Sequence, residues 1–195
     1  MGSSEVHGSM ISDIRPVEAR KVLILYSTVD GHTLRICQHI AERLESAGFV
    51  PELCALTECT AARLTSADRV LLGASIRYGR HRPAVSAFVR RHIDLLEARR
   101  AGFFSVNLVA RKAGKNTPGS NPYVRKFLQR LNWLPAACAV FGGCLDYPRC
   151  NRLQRAMIQL IMRLTAGPTD PNGVFEFTDW SAVDRFGDEL ISTYL

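Results

Sequence analysis

A short apolar run that leads through a hydroxyl-rich loop into an amphipathic helix constrains the fold of this chain most strongly. Residues 21–26 are apolar after Lys21 and do not alternate with polar residues, as in a strand buried on both faces of a parallel sheet. Apolar side chains then recur at helical spacing between Leu34 and Leu44, and Gly48 is a typical helix end. The chain therefore opens with a strand–loop–helix unit of the kind that builds α/β folds.

Segments of these two kinds continue to alternate. The pattern predicts further strands at residues 49–53, 69–74, 103–109 and 138–144, and helices at residues 83–97, 122–131 and 180–191. Such alternation indicates a doubly wound α/β fold, in which right-handed crossovers place helices on both faces of a parallel sheet.

The domain organisation is simple. Residues 21–195 are predicted to form one domain of ordinary size, whereas residues 1–20 lack apolar periodicity and are interpreted as a disordered leader or a tag. Residues 145–174 lie outside a minimal five-strand unit and are interpreted as an insertion. A short strand-like segment at residues 174–177 follows it. A helix needs about 18 consecutive apolar residues to span a bilayer. No apolar run in the sequence approaches this length, so any membrane contact is expected to be peripheral.

Charge is distributed unevenly along the chain, which carries a formal net charge of +7. Residues 77–163 hold 17 Lys or Arg against 3 Asp or Glu, whereas the rest holds 8 against 15. Segregation of this kind favours an anionic partner, and composition leaves nucleic acid, lipid headgroups and a carboxylated ligand open. The six cysteines lack C-x-x-C spacing and are expected to be reduced thiols, and no metal site is expected from the cysteines or histidines.

The loop at residues 27–33 has the composition of a phosphate-binding loop. Hydroxyls and backbone N–H groups at a helix N-terminus attract anions, and Gly31 permits backbone geometry that a side chain would hinder. A plain helix cap would use the same residue types, so the loop alone leaves both interpretations open. Neither a dinucleotide fingerprint nor a Walker loop is present.

Two further loops follow predicted strands, at residues 74–79 and 107–111. Ligands of open parallel sheets bind outside the carboxyl ends of the strands, so the three loops should converge on one edge. Tyr78 offers a stacking surface and the second loop offers backbone amides, which together suit a planar, partly polar heterocycle.

These loops resemble those of the flavodoxin family, and within it those of the quinone-dependent protoporphyrinogen oxidases of haem biosynthesis. The resemblance runs from about Lys21 to the end and is carried by residues 27–33, 73–79, 105–112, 147–149 and 157–162. It implies a flavodoxin-like five-stranded parallel sheet of order 2-1-3-4-5 with an inserted amphipathic helix near the fifth strand. It also implies FMN, with the phosphate at Thr28, Gly31, His32 and Thr33.

The full set of residues expected to bind this cofactor comes from the three loops: Ser27, Thr28, Val29, Asp30, Gly31, His32, Thr33, Ala74, Ser75, Ile76, Arg77, Tyr78, Gly79, Asn107, Leu108, Val109, Ala110 and Arg111. Most flavodoxins carry Thr where this chain has Asp30. A carboxylate facing a phosphate would be repulsive, so Asp30 is expected to turn away and cap the helix.

Residues 152–164 form a predicted basic amphipathic helix that ends at Gly167-Pro168. One interpretation is a helix packed on the core with arginines in solvent. The other is a helix in a membrane interface that gives access to a quinone, and it is favoured because the sheet is complete without this segment. The residues expected to meet membrane or quinone are Arg152, Arg155, Met157, Leu160, Ile161, Arg163 and Leu164.

The predicted function is oxidation of protoporphyrinogen IX to protoporphyrin IX, with menaquinone or ubiquinone as acceptor at a membrane surface. Arginine pairing suits the substrate's propionates, and Arg80, Arg82, Lys112 and Lys115 are candidates for it. No catalytic acid or base is assigned, and His81 is expected at the surface. The location expected is the cytoplasmic face of the inner membrane in a bacterium, or a mitochondrial membrane in a eukaryote.

Three alternatives stay open from sequence: a flavodoxin-type electron carrier, an NAD(P)H:quinone reductase, and a flavin-free domain that binds nucleic acid. Soluble carriers are typically acidic, so the basic segment counts against the first. Nucleic acid is not the expected partner once the resemblance is considered, and a homo-oligomer is left open.

Overall fold

A computed structural model describes residues 20–195, and its centre is a five-stranded parallel sheet. The predicted leader therefore lies outside the described residues, apart from Arg20. The parallel strands are β1 (Lys21–Ser27), β2 (Val50–Ala55), β3 (Arg69–Arg77), β5 (Gly102–Val106) and β6 (Ala137–Phe141). A two-residue strand, β4 (Arg80–His81), pairs antiparallel with the end of β3.

The strand order is β2-β1-β3-β5-β6, which is the predicted order 2-1-3-4-5 when only the parallel strands are counted. The register places Ser27 of β1 beside Ala74 of β3, and Ser75 of β3 beside Val106 of β5. The carboxyl ends of the three central strands therefore meet at one edge, where the predicted loops follow.

Helices cover both faces of the sheet. One layer contains α2 (Ala61–Ser66), α3 (Pro83–Arg91), α4 (Ile93–Ala98) and α5 (Pro122–Leu131), and the other contains α1 (His32–Ser46) and α7 (Trp180–Tyr194). Each layer has its own buried cluster, built on side chains such as Phe103 on the first face and Phe104 on the second. Successive residues of a strand point to opposite faces, which explains this division.

The single helix predicted at residues 83–97 is wrong, because the chain breaks into α3 and α4 at His92. His92 has φ −121° and ψ 20°, outside helical geometry, and its N–H donates to the carbonyls of Phe88 and Val89. The fifth strand, predicted at residues 138–144, ends at Phe141. A Cβ at Gly142 would collide with the Phe177 carbonyl, so the chain leaves the sheet at a glycine pair.

The insertion forms a small unit at the same edge of the sheet. Strands β7 (Cys144–Asp146) and β8 (Val174–Glu176) pair antiparallel, and α6 (Arg152–Leu164) lies between them in sequence with the bounds predicted. A third buried cluster of Leu145, Tyr147 and Met162 holds the unit together. Asn151 caps α6 through a capping box with Gln154.

Candidate functional site

A cleft of about 570 Å³ lies at the carboxyl ends of β1, β3 and β5. It is lined by the loop at residues 27–33, called the phosphate-type loop, by the loops after β3 and β5, and by α6. Its volume is within the ordinary range of small-molecule and cofactor sites. The edge that sequence analysis singled out is therefore a cavity and not a flat surface.

The N-terminus of α1 has the features of an anion-binding site. Gly31 has φ 83°, a left-handed conformation that favours glycine, and the first bond of the helix runs from Arg35 N–H to the Gly31 carbonyl. The preceding N–H groups therefore have no intrahelical acceptor. Thr33 lines the cleft with its side chain 1% exposed, and its Oγ1 has no hydrogen-bond partner within residues 20–195.

Asp30 does not cap this helix, so that prediction is wrong. Gly31 occupies the cap position without a side-chain bond, and Arg77 Nη2 lies 2.7 and 2.8 Å from the two Asp30 carboxylate oxygens. A guanidinium is a stronger partner for a carboxylate than a single N–H group. The carboxylate next to the anion site is thus compensated by a cation from the neighbouring loop.

The His32 side chain is directed away from the phosphate-type loop. Its Nε2 lies 2.6 Å from Thr178 Oγ1, and that hydroxyl donates to the Gly142 carbonyl at 2.9 Å, so the histidine is the donor. Burial lowers the pKa of His32, and the Glu176 carboxylate opposes this effect. The His32 ring is therefore engaged with Thr178, and only the His32 backbone N–H is available to an anion in the loop.

The loop after β3 is a two-residue hairpin turn. Tyr78 and Gly79 have φ of 51° and 76°, as in a type I′ turn, and they join the paired residues Arg77 and Arg80. Positive φ at a tyrosine is uncommon, and the turn leaves the ring 67% exposed at the cleft mouth. The Tyr78 hydroxyl also accepts a bond from Gln154 Nε2 of α6 at 3.3 Å, which links the two sides of the cleft.

The loop after β5 contributes fewer residues to the cleft than predicted. The strand predicted to reach residue 109 ends at Val106, because Asn107 Oδ1 accepts the Ala110 N–H and starts a 3-10 turn. Asn107, Leu108 and Val109 line the cleft. The predicted residues Ser27, Val29, Ala74, Ala110 and Arg111 lie outside its lining as the structure describes it.

Arg111 has a structural position instead. Its guanidinium donates to the Leu108 carbonyl at 2.8 Å and to Thr165 Oγ1 at 2.6 Å, just beyond the end of α6. It therefore ties the β5 loop to the insertion.

Behind the β5 loop lies a buried polar chain that includes His81. Asn121 Nδ2 donates to Asn107 Oδ1 at 3.2 Å, and His81 Nε2 lies 2.9 Å from Ser105 Oγ. His81 is 6% exposed, so the prediction of a surface histidine is wrong. Burial among aromatic rings, with Phe127 at 4.4 Å between centroids, lowers its pKa to about 4.

The helix α6 presents an unusual orientation. Of the α6 residues only Met162 is buried, with 1% exposure. Leu153, Leu160 and Leu164 are 80%, 59% and 78% exposed. Along the cleft its wall consists of Gln154, Met157, Ile158 and Ile161. Most of its apolar residues therefore face the cleft or the solvent.

The three arginines of α6 that are expected to meet membrane or quinone have different environments. Arg152 and Arg163 are exposed, but Arg155 Nη2 donates to the Tyr147 carbonyl at 3.1 Å and to the Cys150 carbonyl. Gln159 also turns inward and donates to the Thr169 carbonyl at 2.8 Å. Polar side chains thus help to attach the helix, which leaves leucines for the outer face.

Cations at the cleft differ from those predicted. Arg80, Arg82, Lys112 and Lys115 are exposed and lie outside the cleft lining that the structure describes. The arginines that do line it, among the described residues, are each paired with a carboxylate: Arg35 with Glu176 at 2.9 Å, Arg77 with Asp30 at 2.7 Å, and Arg149 with Asp146 at 3.2 Å.

Sequence reasoning missed the residues of segment 143–150 that line the cleft, and also Arg35, Val106, Tyr123, Gln154 and Ile158. The glycine pair before this segment was a usable signal, since it ends the fifth strand at the ligand edge. The position of Tyr123, just inside α5, had no such signal, because its approach depends on how α5 packs beside Gly79.

Comparison with known proteins gives consistent results. A family model described as a flavodoxin domain matches residues 23–172. A protoporphyrinogen IX dehydrogenase [quinone] of Escherichia coli strain K12 is 42% identical over 170 residues, 87% of this chain and 94% of that protein. The protein of that name from Leishmania major is 43% identical over 174 residues, 89% of this chain and 75% of its own.

Among solved structures, a flavodoxin from Pseudomonas aeruginosa superposes with a TM-score of 0.53 at 13% identity, covering 89% of this chain and 98% of its own. A flavodoxin from the domain Archaea gives a TM-score of 0.50 at 14% identity, with the same coverage. Identities this low support the fold alone, and the fold predicted from sequence is confirmed.

Proposed function

The chain belongs to the flavodoxin-domain family and, within it, to the quinone-dependent protoporphyrinogen IX dehydrogenases, and from this premise we propose that it binds FMN in the cleft. In this proposal the protein oxidises protoporphyrinogen IX to protoporphyrin IX and passes the electrons to a membrane quinone. One observation carries the proposal. A single cleft joins an anion-binding helix N-terminus to an apolar wall whose helix exposes further leucines on its outer side.

The phosphate-type loop fits a flavin mononucleotide. Thr33 Oγ1 is buried without a partner in the described chain, which is costly unless a ligand supplies the acceptor. The backbone N–H groups at the start of α1 point to the same place, and the helix dipole favours negative charge there. Arg77 compensates Asp30, so the one carboxylate in the loop does not exclude a phosphate.

The remaining loops fit a planar ring. Tyr78 offers an aromatic face at the mouth, and the loop at Asn107 to Val109 offers backbone groups and apolar side chains. When bound, the flavin would accept hydride equivalents from the substrate and pass the electrons to the quinone. The chain's own part is to hold Asn107 through Asn121 and to keep the wall at Met157 and Ile158 apolar, which limits access of water.

Peripheral attachment to the quinone-containing membrane is part of the proposal. No helix within residues 20–195 is long and apolar enough to cross a bilayer. The exposed Leu153, Leu160 and Leu164 support insertion of α6 into the membrane interface, with Arg152 and Arg163 close to anionic headgroups. Because Met157 and Ile161 of the same helix line the cleft, a quinone would reach the site from the bilayer without crossing water.

The test is anaerobic turnover of protoporphyrinogen IX by the FMN-loaded protein on anionic vesicles that contain menaquinone or ubiquinone. Porphyrin fluorescence should rise faster than in a no-enzyme control and depend on the quinone, and NADH should not replace the porphyrinogen as donor. A rate equal to that of the control would contradict the proposed activity, and a protein that fails to bind FMN would contradict the cofactor as well.

A further inference from the structure

Two of the arginines that line the cleft form ion pairs that are partly exposed to solvent. Arg77 is 30% exposed and pairs with Asp30, which is 46% exposed, so solvent can replace the arginine at this carboxylate. Arg149 is 71% exposed and pairs with Asp146, whose Oδ1 also accepts the Arg149 backbone N–H at 3.2 Å. Asp146 therefore keeps a partner if the Arg149 guanidinium moves.

Arg35, the third cleft arginine, is held differently. Its guanidinium lies over the Trp180 ring at 4.9 Å, and its partner Glu176 also accepts the Trp180 indole N–H at 2.7 Å. Three linked contacts fix it at the α1 end of the cleft. Arg77 and Arg149 are thus the cleft arginines that are available to a ligand.

The two available arginines belong to segments that meet at the cleft. The Tyr78 hydroxyl, next in sequence to Arg77, accepts a bond from Gln154 Nε2 at 3.3 Å. Gln154 forms the capping box with Asn151, two residues after Arg149. The two ion pairs therefore belong to neighbouring segments of the cleft lining.

An apolar surface of the cleft lies beside these two segments. Leu145 belongs to the same strand as Asp146, and Met157, Ile158 and Ile161 of α6 continue the apolar wall. The combination favours a ligand with a broad apolar face and two carboxylates on one edge. A tetrapyrrole with two propionates has this chemistry.

We infer that Arg77 and Arg149 bind the two propionates of the tetrapyrrole, each exchanging its own aspartate for a substrate carboxylate. The inference rests on the proposed function and adds to it the residues that select a dicarboxylate. Each exchange replaces one charge-assisted hydrogen bond of a guanidinium by another, so no guanidinium is left without a partner in either state. Asp30, which Arg77 then releases, is 46% exposed, so solvent screens its charge from the neighbouring phosphate. Asp30 and Asp146 keep the arginines ordered before the substrate arrives, and they also compete with it.

This competition gives a test that separates substrate binding from a purely structural ion pair. Protoporphyrin IX and its dimethyl ester would be titrated, by porphyrin fluorescence, into the FMN-loaded protein and its variants. Arg77→Gln and Arg149→Gln should each weaken binding of the free acid about tenfold and leave the ester unchanged. Asp30→Asn and Asp146→Asn should strengthen binding of the free acid, because they remove the competing carboxylates. Arg80→Gln, at an exposed arginine outside the cleft, is the matched control.

A structural ion pair would respond differently, since loss of either partner would then weaken binding in the same direction. Free-acid binding that is unchanged in both arginine variants, or weakened by the aspartate variants, would overturn the inference. FMN affinity is measured on the same samples by flavin fluorescence, and the porphyrin titrations are run at FMN concentrations that saturate each variant, because Arg77→Gln leaves Asp30 uncompensated beside the phosphate. If the wild-type protein turns over the substrate but the arginine variants still prefer the free acid to the ester as the wild type does, this inference alone is wrong. Absence of wild-type turnover would instead count against the proposed function.

Discussion

The helices α1 and α6 have the same amphipathic periodicity but opposite orientations. In α1, Ile36, Ile40 and Leu44 are fully buried against the sheet. In α6, Leu153, Leu160 and Leu164 are exposed, and polar side chains such as Arg155 and Gln159 face the protein. Periodicity therefore identifies a helix and its apolar face, but not the medium that this face meets.

The difference separates scaffold from surface. The sheet needs α1 to cover it, and the proposed anion site lies at the N-terminus of α1. The small cluster at Met162 and hydrogen bonds from polar groups attach α6, so its outer leucines contribute nothing visible to the fold. A row of exposed apolar side chains of this kind marks an interaction surface. Four predictions test this division.

The largest effect is expected for membrane binding when Leu153, Leu160 and Leu164 are all changed to Gln. Each buried leucine side chain contributes about 2 kcal/mol, so the three together contribute up to about 6 kcal/mol. Partition onto anionic vesicles should fall by at least about 100-fold even where the side chains insert only partly. Vesicle co-sedimentation measures the change. Leu134→Gln, at a leucine that is 87% exposed outside α6, is the control and should have little effect.

A smaller effect is expected for stability when α1 and α6 are compared residue by residue. Ile40→Ala should lower the free energy of unfolding by about 3 kcal/mol, because it leaves a cavity in the core. Leu160→Ala should change it by less than about 0.5 kcal/mol, since the side chain is exposed. Urea denaturation of the apoprotein measures both, and equal losses would show that α6 is an ordinary core helix.

The anion site is tested by Thr33→Val. Removing the hydroxyl should weaken FMN binding by roughly 2 kcal/mol, about 30-fold, because a bond to a charged phosphate is lost. Riboflavin, which lacks the phosphate, should bind as before. The apoprotein should not be destabilised, since this buried Oγ1 has no partner in the described chain. Equal weakening for both flavins would place the phosphate elsewhere.

The smallest effect concerns pH and lies on the sheet side of the cleft. Burial lowers the pKa of His81 to about 4, so its contribution to stability is present above the ordinary histidine pKa of about 6.5 and is lost as pH falls toward 4. Between pH 7 and pH 5 this loss should be about 1–2 kcal/mol. His81→Gln should reduce the loss in denaturation curves, and His92→Gln is the control. An unchanged slope would show that His81 is not buried as described.

Much of the fold follows from local patterns. The buried run at residues 21–26, the bounds of α5 and α6 and the strand order agree with expectation, because periodicity and helix-end residues act over short distances. The break at His92 had no such local signal. The end of β6 at Gly142 depends on a distant residue, because a Cβ there would collide with the Phe177 carbonyl, and only the glycine pair marks it in the local sequence.

The site was predictable as loops but not as side-chain partners. Thirteen of the eighteen predicted cofactor residues line the cleft, since they follow strand ends. The Arg77–Asp30 pair joins positions 47 residues apart, and the Arg111 contact with Thr165 joins positions 54 apart. Pairings across such distances are set by tertiary structure, which is also why the four predicted substrate cations lie outside the cleft.

The claim that α6 is a membrane-facing wall, and α1 a core helix, is tested most directly by hydrogen exchange with and without anionic vesicles. Amides of α6 from Arg152 to Leu164 should gain protection on vesicles, while those of α1 keep the same high protection in both conditions. The basic helices α3 and α5 should change little. Protection that rises in α3 and α5 but not in α6 would contradict the account, because the membrane would then meet the charged layer and not the leucines.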